Sequence, residues 1–259
     1  IIKKLSRHDF VDYRNKHYVA PKTLVIVAGG FDPRRVIADV KNSFGHLTRR
    51  PRRARTKTKE RQSKPALSIK FKRSDQSHLA IGIRAFNLFD ARRHALSVLS
   101  DVLGGGMSSR LFKRVREEMG AAYYVNASPD LYLGHGYLAV SSGVDHTKIL
   151  NVLKVILEEL RRLSREIVPA KELQKSKDHL VGGLVLGLET SDELASFYGS
   201  EELLTKKILR PKQIIDKIQE VQAEEVRAVA RAIFKNEKLN LAVIGPYKNA
   251  TMFKKILRL

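Results

Sequence analysis

The chain has 259 residues, 43% of them apolar, with 49 lysines and arginines against 27 aspartates and glutamates and no cysteine. That is enough apolar material for one or two buried cores, while the lack of cysteine excludes disulfides and thiol nucleophiles and suits a reducing, cytoplasmic setting. No apolar run approaches the ~18 residues of a membrane-crossing helix, and residues 1 to 20 hold no secretory signal.

The first stretch, Leu5 to Asp32, reads helix, turn, strand and glycine, with a further helix after it. It lies without a gap over Val221 to Lys248, placing Phe10 over Val226, Tyr18 over Phe234, Lys22 over Lys238 and Gly29 over Gly245. A long period of this kind signals duplicated units. In the second copy the element closes a whole domain, whereas few residues precede it in the first. The expected organisation is therefore the tail of one domain over 1–48, a linker over 49–65 and a complete second domain over 66–259.

Arg49, Arg50, Arg52, Arg53, Arg55, Lys57, Lys59, Arg61 and Lys64 crowd the linker, opposed only by Glu60, with Pro51 and Pro65 among them. So little of that segment is apolar that it cannot fold by itself, and it reads as a solvated connection. The formal net charge of +22 also admits nucleic-acid or anionic-membrane binding through this run, or steering of acidic peptides. No aromatic residue lies between Phe44 and Phe71 to stack on a base.

Beyond the linker, alternation predicts strands at Leu67 to Phe71 and Leu79 to Ile83. Val98, Leu99, Val102 and Leu103 end an amphipathic helix that Gly104, Gly105 and Gly106 stop. Ser108 or Ser109 can cap a second helix, with Leu111, Phe112, Val115 and Met119 as its buried stripe and Gly120 as its end. A strand over Ala122 to Ser128 then points Tyr123, Val125 and Ala127 to one face and Tyr124, Asn126 and Ser128 to the other. It pairs with Gly136 to Gly143 around a Pro129-Asp130 turn. Ile149, Leu150, Leu153, Ile156, Leu157 and Leu160 form one helix face. Pro169 opens the next helix, whose stripe is Leu173, Leu180, Val181, Leu184, Val185 and Leu188. Three more helical patterns lead from Ser191 to Ile233, then a strand at Leu239 to Val243. Strands grouped apart from helices indicate an α+β sheet covered on one face.

The segment Leu103 to Val125 resembles the C-terminal half of the pitrilysin or insulinase-like zinc peptidases, the group that includes the mitochondrial processing peptidases. Their segment reads approximately L-G-G-G-x-S-S-R-L-F and then R-x-x-x-G-x-x-Y, here Arg116, Gly120 and Tyr123. The resemblance implies a duplicated family domain with an antiparallel-rich mixed sheet and helices on one face, forming half of a clamshell. It also implies an extended peptide substrate held as an added strand at a sheet edge. Tyr123 would donate its hydroxyl to the developing oxyanion and Arg116 would hold a substrate carbonyl, as the catalytic residues of this half. Gly104, Gly105, Gly106, Ser108 and Ser109 are candidate substrate-binding residues, with helix termination as the alternative for the glycines. Processing peptidases carry a longer glycine-rich loop near this point.

The family's zinc motif, H-x-x-E-H, sets two ligands and a general base on one helix face. None of the eight histidines here forms such a pair, and no glutamate precedes Glu60. The zinc of the complete enzyme is therefore expected on a catalytic half, upstream or on another subunit, and this chain is expected to be inactive alone. The other readings are a non-catalytic family subunit and a basic nucleic-acid-binding protein.

Overall fold

The computed structural model describes residues 2–50, 56 and 58–259. Pro51 to Arg55 and Lys57, the centre of the basic run assigned to a linker, lie outside the described residues. In chain order the elements are α1 (Arg7–His17), α2 (Pro33–Phe44), β1 (Ala66–Phe71), β2 (Ser77–Ala85), α3 (Arg93–Gly104), β3 (Ala122–Leu131) and β4 (Gly136–Val144). There follow α4 (Ile149–Arg165), α5 (Ala170–Leu186), α6 (Ser191–Ser200), α7 (Pro211–Gln219), α8 (Ala223–Ile233), β5 (Leu239–Gly245) and α9 (Thr251–Ile256). Two compact units result, Ile1–Lys57 with Val185–Leu209, and Thr58–Leu184 with Arg210–Leu259.

In the first unit α1 starts where Asp9 accepts bonds from the backbone N–H and hydroxyl of Ser6. α2 starts where Asp32 caps Arg34 N–H at 2.9 Å and Pro33 supplies a preset φ. Neither helix has a buried residue. The ungapped repeat is visible residue for residue: α1 lies over α8, and the 3-10 turn Ala20–Lys22 lies over the 3-10 turn Asn236–Lys238. The copies part at the strand. Leu239–Gly245 pairs on both sides, with β1 and β2, while the equivalent Leu24 to Val27 is unpaired among the described residues and 38–45% exposed. A strand is defined by its partner, so the expected first-copy strand does not form here.

The second unit is built on a five-stranded sheet of order β1-β5-β2-β4-β3. β1 runs parallel to β5 and every other pair is antiparallel, the mixed, antiparallel-rich sheet that the family resemblance implies. One face is apolar: Leu79, Ile81 and Ile83 of β2, Leu138 and Val140 of β4 and Leu241 and Val243 of β5 are all buried. They join one core with α3, α4 and α8, whose inner faces carry Leu96, Leu99, Leu103, Val152, Ile156, Val226 and Val229. The other face presents small side chains such as Ala80, Gly82, Ala139 and Ala242. Burying one fully enclosed leucine or isoleucine of this core contributes about 1.5–3 kcal/mol.

Two local expectations are corrected. The chain does not turn at Pro129-Asp130. β3 runs on to Leu131, pairing Pro129 with Leu138, and reverses only where Tyr132 N–H bonds His135 O at 2.9 Å. β3 is an edge strand, and an edge tolerates the missing N–H of proline. The stripe predicted for the helix after Pro169 is also shorter than expected. α5 buries Leu173, Ser176 and Lys177, ends at Leu186 before Leu188, and leaves Val185 53% exposed.

His94, near the start of α3, has its pKa lowered to about 4, chiefly by burial and then by the neighbouring charges of Arg93 and Lys217. Arg93 Nε donates to its Nε2 at 3.3 Å, which requires a neutral ring. In the unfolded chain this imidazole protonates near 6.5, so the unfolded state takes up the proton first. Stability is complete above about pH 6.5 and falls as pH drops towards 4, by about 2–3 kcal/mol from this group. Urea unfolding across that window should show the loss, and His94→Gln should flatten that part of the profile. An unchanged slope in the variant would contradict the assignment.

Candidate functional site

Between α3 and β3 the chain makes a tight passage whose shape follows from its glycines. A Cβ on Gly104 would lie 2.7 Å from the backbone nitrogen of Ala127 and 2.8 Å from its Cβ, so the end of α3 touches β3 as closely as backbone allows. Gly105 leaves room for Asp101, whose carboxylate is buried and meets His179 Nδ1 at 2.6 Å. Gly106 faces the ring of His179. Ser109 is buried and donates its hydroxyl to Gly106 O, closing the turn, while Ser108 is exposed. Gly104 and Ser109 are thus enclosed by packing. Gly106, Ser108 and Ser109 line a cavity of about 200 Å³ with Met107, Lys175 and His179.

The helix that follows is wider than the sequence pattern implies. Phe112–Glu118 is π-helical, and Met119 N–H reaches back five residues to Arg114 O at 3.2 Å. Leu111 and Val115 are fully buried, whereas Phe112 and Met119 only pack against the core's edge. A π turn shifts the side chains after it by part of a turn, and such turns recur at functional sites. The segment ends at Gly120, whose φ of +51 lies in the left-handed region that glycine occupies without strain.

Tyr123 does not share a face with Val125 and Ala127, as strict alternation requires. The register slips between Ala122 and Tyr124, a bulge that adds one residue and turns it outward. Val125 and Ala127 are buried, and Tyr123 is 66% exposed. Its neighbour Tyr124 has its hydroxyl engaged by His78 Nδ1 at 3.1 Å. Among the described residues the Tyr123 hydroxyl has no such partner.

Arg116 is brought to the same place. Its Nη1 donates to the backbone oxygen of Tyr123, and its guanidinium stands 5.3 Å from the centre of the Phe112 ring. The π-helical turn, the left-handed glycine and the strand bulge lie together where an exposed arginine is tied to the backbone of an exposed tyrosine. Together they can donate several hydrogen bonds to carbonyl oxygens.

The ion pairs around this segment were not legible in the sequence. Arg110 binds Glu172 through two bonds of 2.8 Å, and Arg114 binds Glu159 and Glu158 at 2.6 and 3.0 Å. Hydrogen bonding to Glu172 holds the Arg110 pKa above its usual value. For Arg114 burial acts in the opposite direction, but its carboxylate partners outweigh it and the net shift is upward. One signal was available: Glu159 falls between Leu157 and Leu160 on a helix face that is otherwise apolar. A different trio, Ser77, His146 and Tyr247, is linked by contacts of 2.6 Å, but Ser77 is wholly buried and His146 Nε2 is taken up by Ser74 O, so it braces β2 against the C-terminal segment.

Among the described residues no three histidine, cysteine, aspartate or glutamate side chains converge as metal ligands. The side chains present therefore do not fit a zinc site. No helix of the structure is long and apolar enough to cross a membrane.

The sequence description of the peptidase M16 inactive domain matches residues 4–180. An uncharacterized zinc protease of Mycobacterium tuberculosis is 33% identical over 260 residues, covering 99% of this chain and 59% of the relative. A zinc protease of Bacillus subtilis, also uncharacterized, is 32% identical over 237 residues, or 92% of this chain and 57% of the relative. The chain thus spans a little over half the length of these relatives. In fold it superposes on a protease from Helicobacter pylori with a TM-score of 0.83 at 19% identity, covering 95% of this chain and 60% of the other. It superposes equally on a peptidase M16 inactive domain from Pseudomonas fluorescens, with a TM-score of 0.82 at 19% identity, 94% of this chain and 58% of the other.

Proposed function

The chain belongs to the peptidase M16 family, and from that premise we propose that it is the substrate-holding half of a zinc metallopeptidase, working only together with a half that carries the metal. The observation that carries this reading is the meeting of Arg116 and Tyr123 at an exposed surface, built by three separate backbone irregularities. Zinc, held by the other half, would supply Lewis-acid activation of a water. On this side Tyr123 donates its hydroxyl to the oxygen of the scissile carbonyl as it gains charge. Arg116 holds a neighbouring carbonyl of an extended peptide, and Gly106 and Ser108 border the path of that peptide. Donors fixed before the substrate arrives cost no reorganisation during the reaction.

The same reading assigns residues 1–48 to the end of the first peptidase domain, residues 49–65 to a linker and residues 66–259 to the second domain. Leu24 to Val27 match β5 in the repeat but lack its neighbours among the described residues, and their exposed apolar side chains suit a strand completed by the rest of that first domain.

The assignment is tested by mixing this chain with a zinc-bearing half and following cleavage of a fluorogenic peptide library. Cleavage is expected only with both halves present and is abolished by a zinc chelator. Equal rates from the zinc-bearing half alone would overturn the proposal.

A further inference from the structure

The inner face of α4 is apolar from Ile149 to Leu163, yet Glu159 stands within it and is completely buried. A carboxylate removed from water persists only where cations compensate it. Three guanidiniums do so here. Arg114 Nη1 lies 2.6 Å and Arg162 Nη1 3.0 Å from Oε1, and Arg110 Nη1 lies 3.5 Å from Oε2. Arg162 belongs to α4 itself, whereas Arg110 and Arg114 come from the stretch in which the π-helical turn begins. Arg110 further grips Glu172 of α5, and Arg114 reaches Glu158. Of the three arginines from 110 to 116, two are committed to carboxylates. Arg116 has none among the described residues and bonds only the Tyr123 carbonyl.

We infer that Glu159 is a positioning residue. It anchors the π-helical turn to α4 through Arg110 and Arg114, and so determines where the Arg116 guanidinium stands against Tyr123. This rests on the proposal above that Arg116 holds a substrate carbonyl. A π turn exchanges the regular helical bonds for longer-range ones. A buried charge shared by three arginines fixes where the turn lies, because moving Arg114, which makes the shortest bond to Glu159, withdraws compensation from a carboxylate in the core. Surface ion pairs give way too easily to do this.

The test follows the Arg116 guanidinium by ¹⁵N NMR of the chain, assigned with Arg116→Lys. Glu159→Gln keeps the side chain's size and removes its charge. The Arg116 signals are expected to collapse to those of a freely rotating, solvated guanidinium, while the amide signals of β2 and β4 keep their positions. Arg162→Gln, which leaves both ties to the turn in place, should leave Arg116 unmoved. Should Glu159→Gln not fold, Arg114→Gln cuts one tie and should show the same change in part. In the assembled two-half enzyme Glu159→Gln should lower kcat by about 10- to 100-fold with little change in KM. Arg116 signals unchanged in both the Glu159 and Arg114 variants would overturn the inference. If the signals move and kcat/KM does not, the anchoring by Glu159 stands and the substrate role of Arg116 falls.

Discussion

Tyr123→Phe in the assembled enzyme is expected to lower kcat by about 10²–10³, with KM nearly unchanged and the thermal midpoint of the isolated chain unmoved. The reasoning starts from exposure. The phenol is 66% exposed and its hydroxyl has no partner among the described residues, so folding gains nothing from the oxygen and loses nothing when it is removed. If the hydroxyl acts only when charge develops on the substrate, its loss falls on the transition state alone, and one such donor is worth about 2.7–4 kcal/mol. Tyr124→Phe makes the contrast. It breaks the contact with His78, a surface hydrogen bond, and should leave turnover within a factor of about two to three. Unaltered kcat in the Tyr123 variant would remove the oxyanion role.

Gly104→Ala is expected to destabilise the second unit by about 2–3 kcal/mol, because the added methyl meets the Ala127 backbone nitrogen at 2.7 Å, and neither α3 nor β3 can retreat without opening the core. Gly182, inside α5 with nothing within 4 Å of its Cβ position, provides the comparison. There the same substitution should stabilise by about 0.4–1 kcal/mol through the unfolded chain. Urea unfolding of the two variants measures both. A Gly104 variant as stable as the parent would show that the α3 to β3 contact has slack. The prediction bears on function as well, since β3 carries Tyr123, and a shifted strand would misplace it.

How far the sequence could be read depended on whether the controlling interaction was local. Helix α8, the amphipathic face of α4 and the strand β2 follow from periodicity, which reports directly on burial, whereas α1, with no buried face, follows from its match to α8 in the repeat. The repeat gave a turn after each of these helices, and the structure has a 3-10 turn at the same offset in both copies, Ala20–Lys22 and Asn236–Lys238. What escaped was set by contacts distant in the chain. The reach of β3 beyond Pro129 depends on its being an edge. The outward turn of Tyr123 depends on a register slip against β4, and period-two reasoning placed it with Val125 and Ala127 because it counts residues and not partners. The π turn arises where Arg110 and Arg114 meet Glu159, 45 residues or more further along, and no window around residue 114 contains that carboxylate. Of the candidate site, the spacing of Arg116 and Tyr123 was legible in the sequence and their geometry was not.

The segment Thr23 to Ala28 has a consequence for handling the chain by itself. It is a short, uncharged run of mostly β-branched and leucine side chains whose backbone pairs with no strand among the described residues, the composition from which cross-β aggregates nucleate. In the isolated chain the safeguard is the large excess of like charge, 49 basic residues against 27 acidic, which keeps molecules apart at low ionic strength. Salt shortens the reach of that repulsion to about 3 Å at 1 M, so a concentrated, salty solution is where this polypeptide would self-associate.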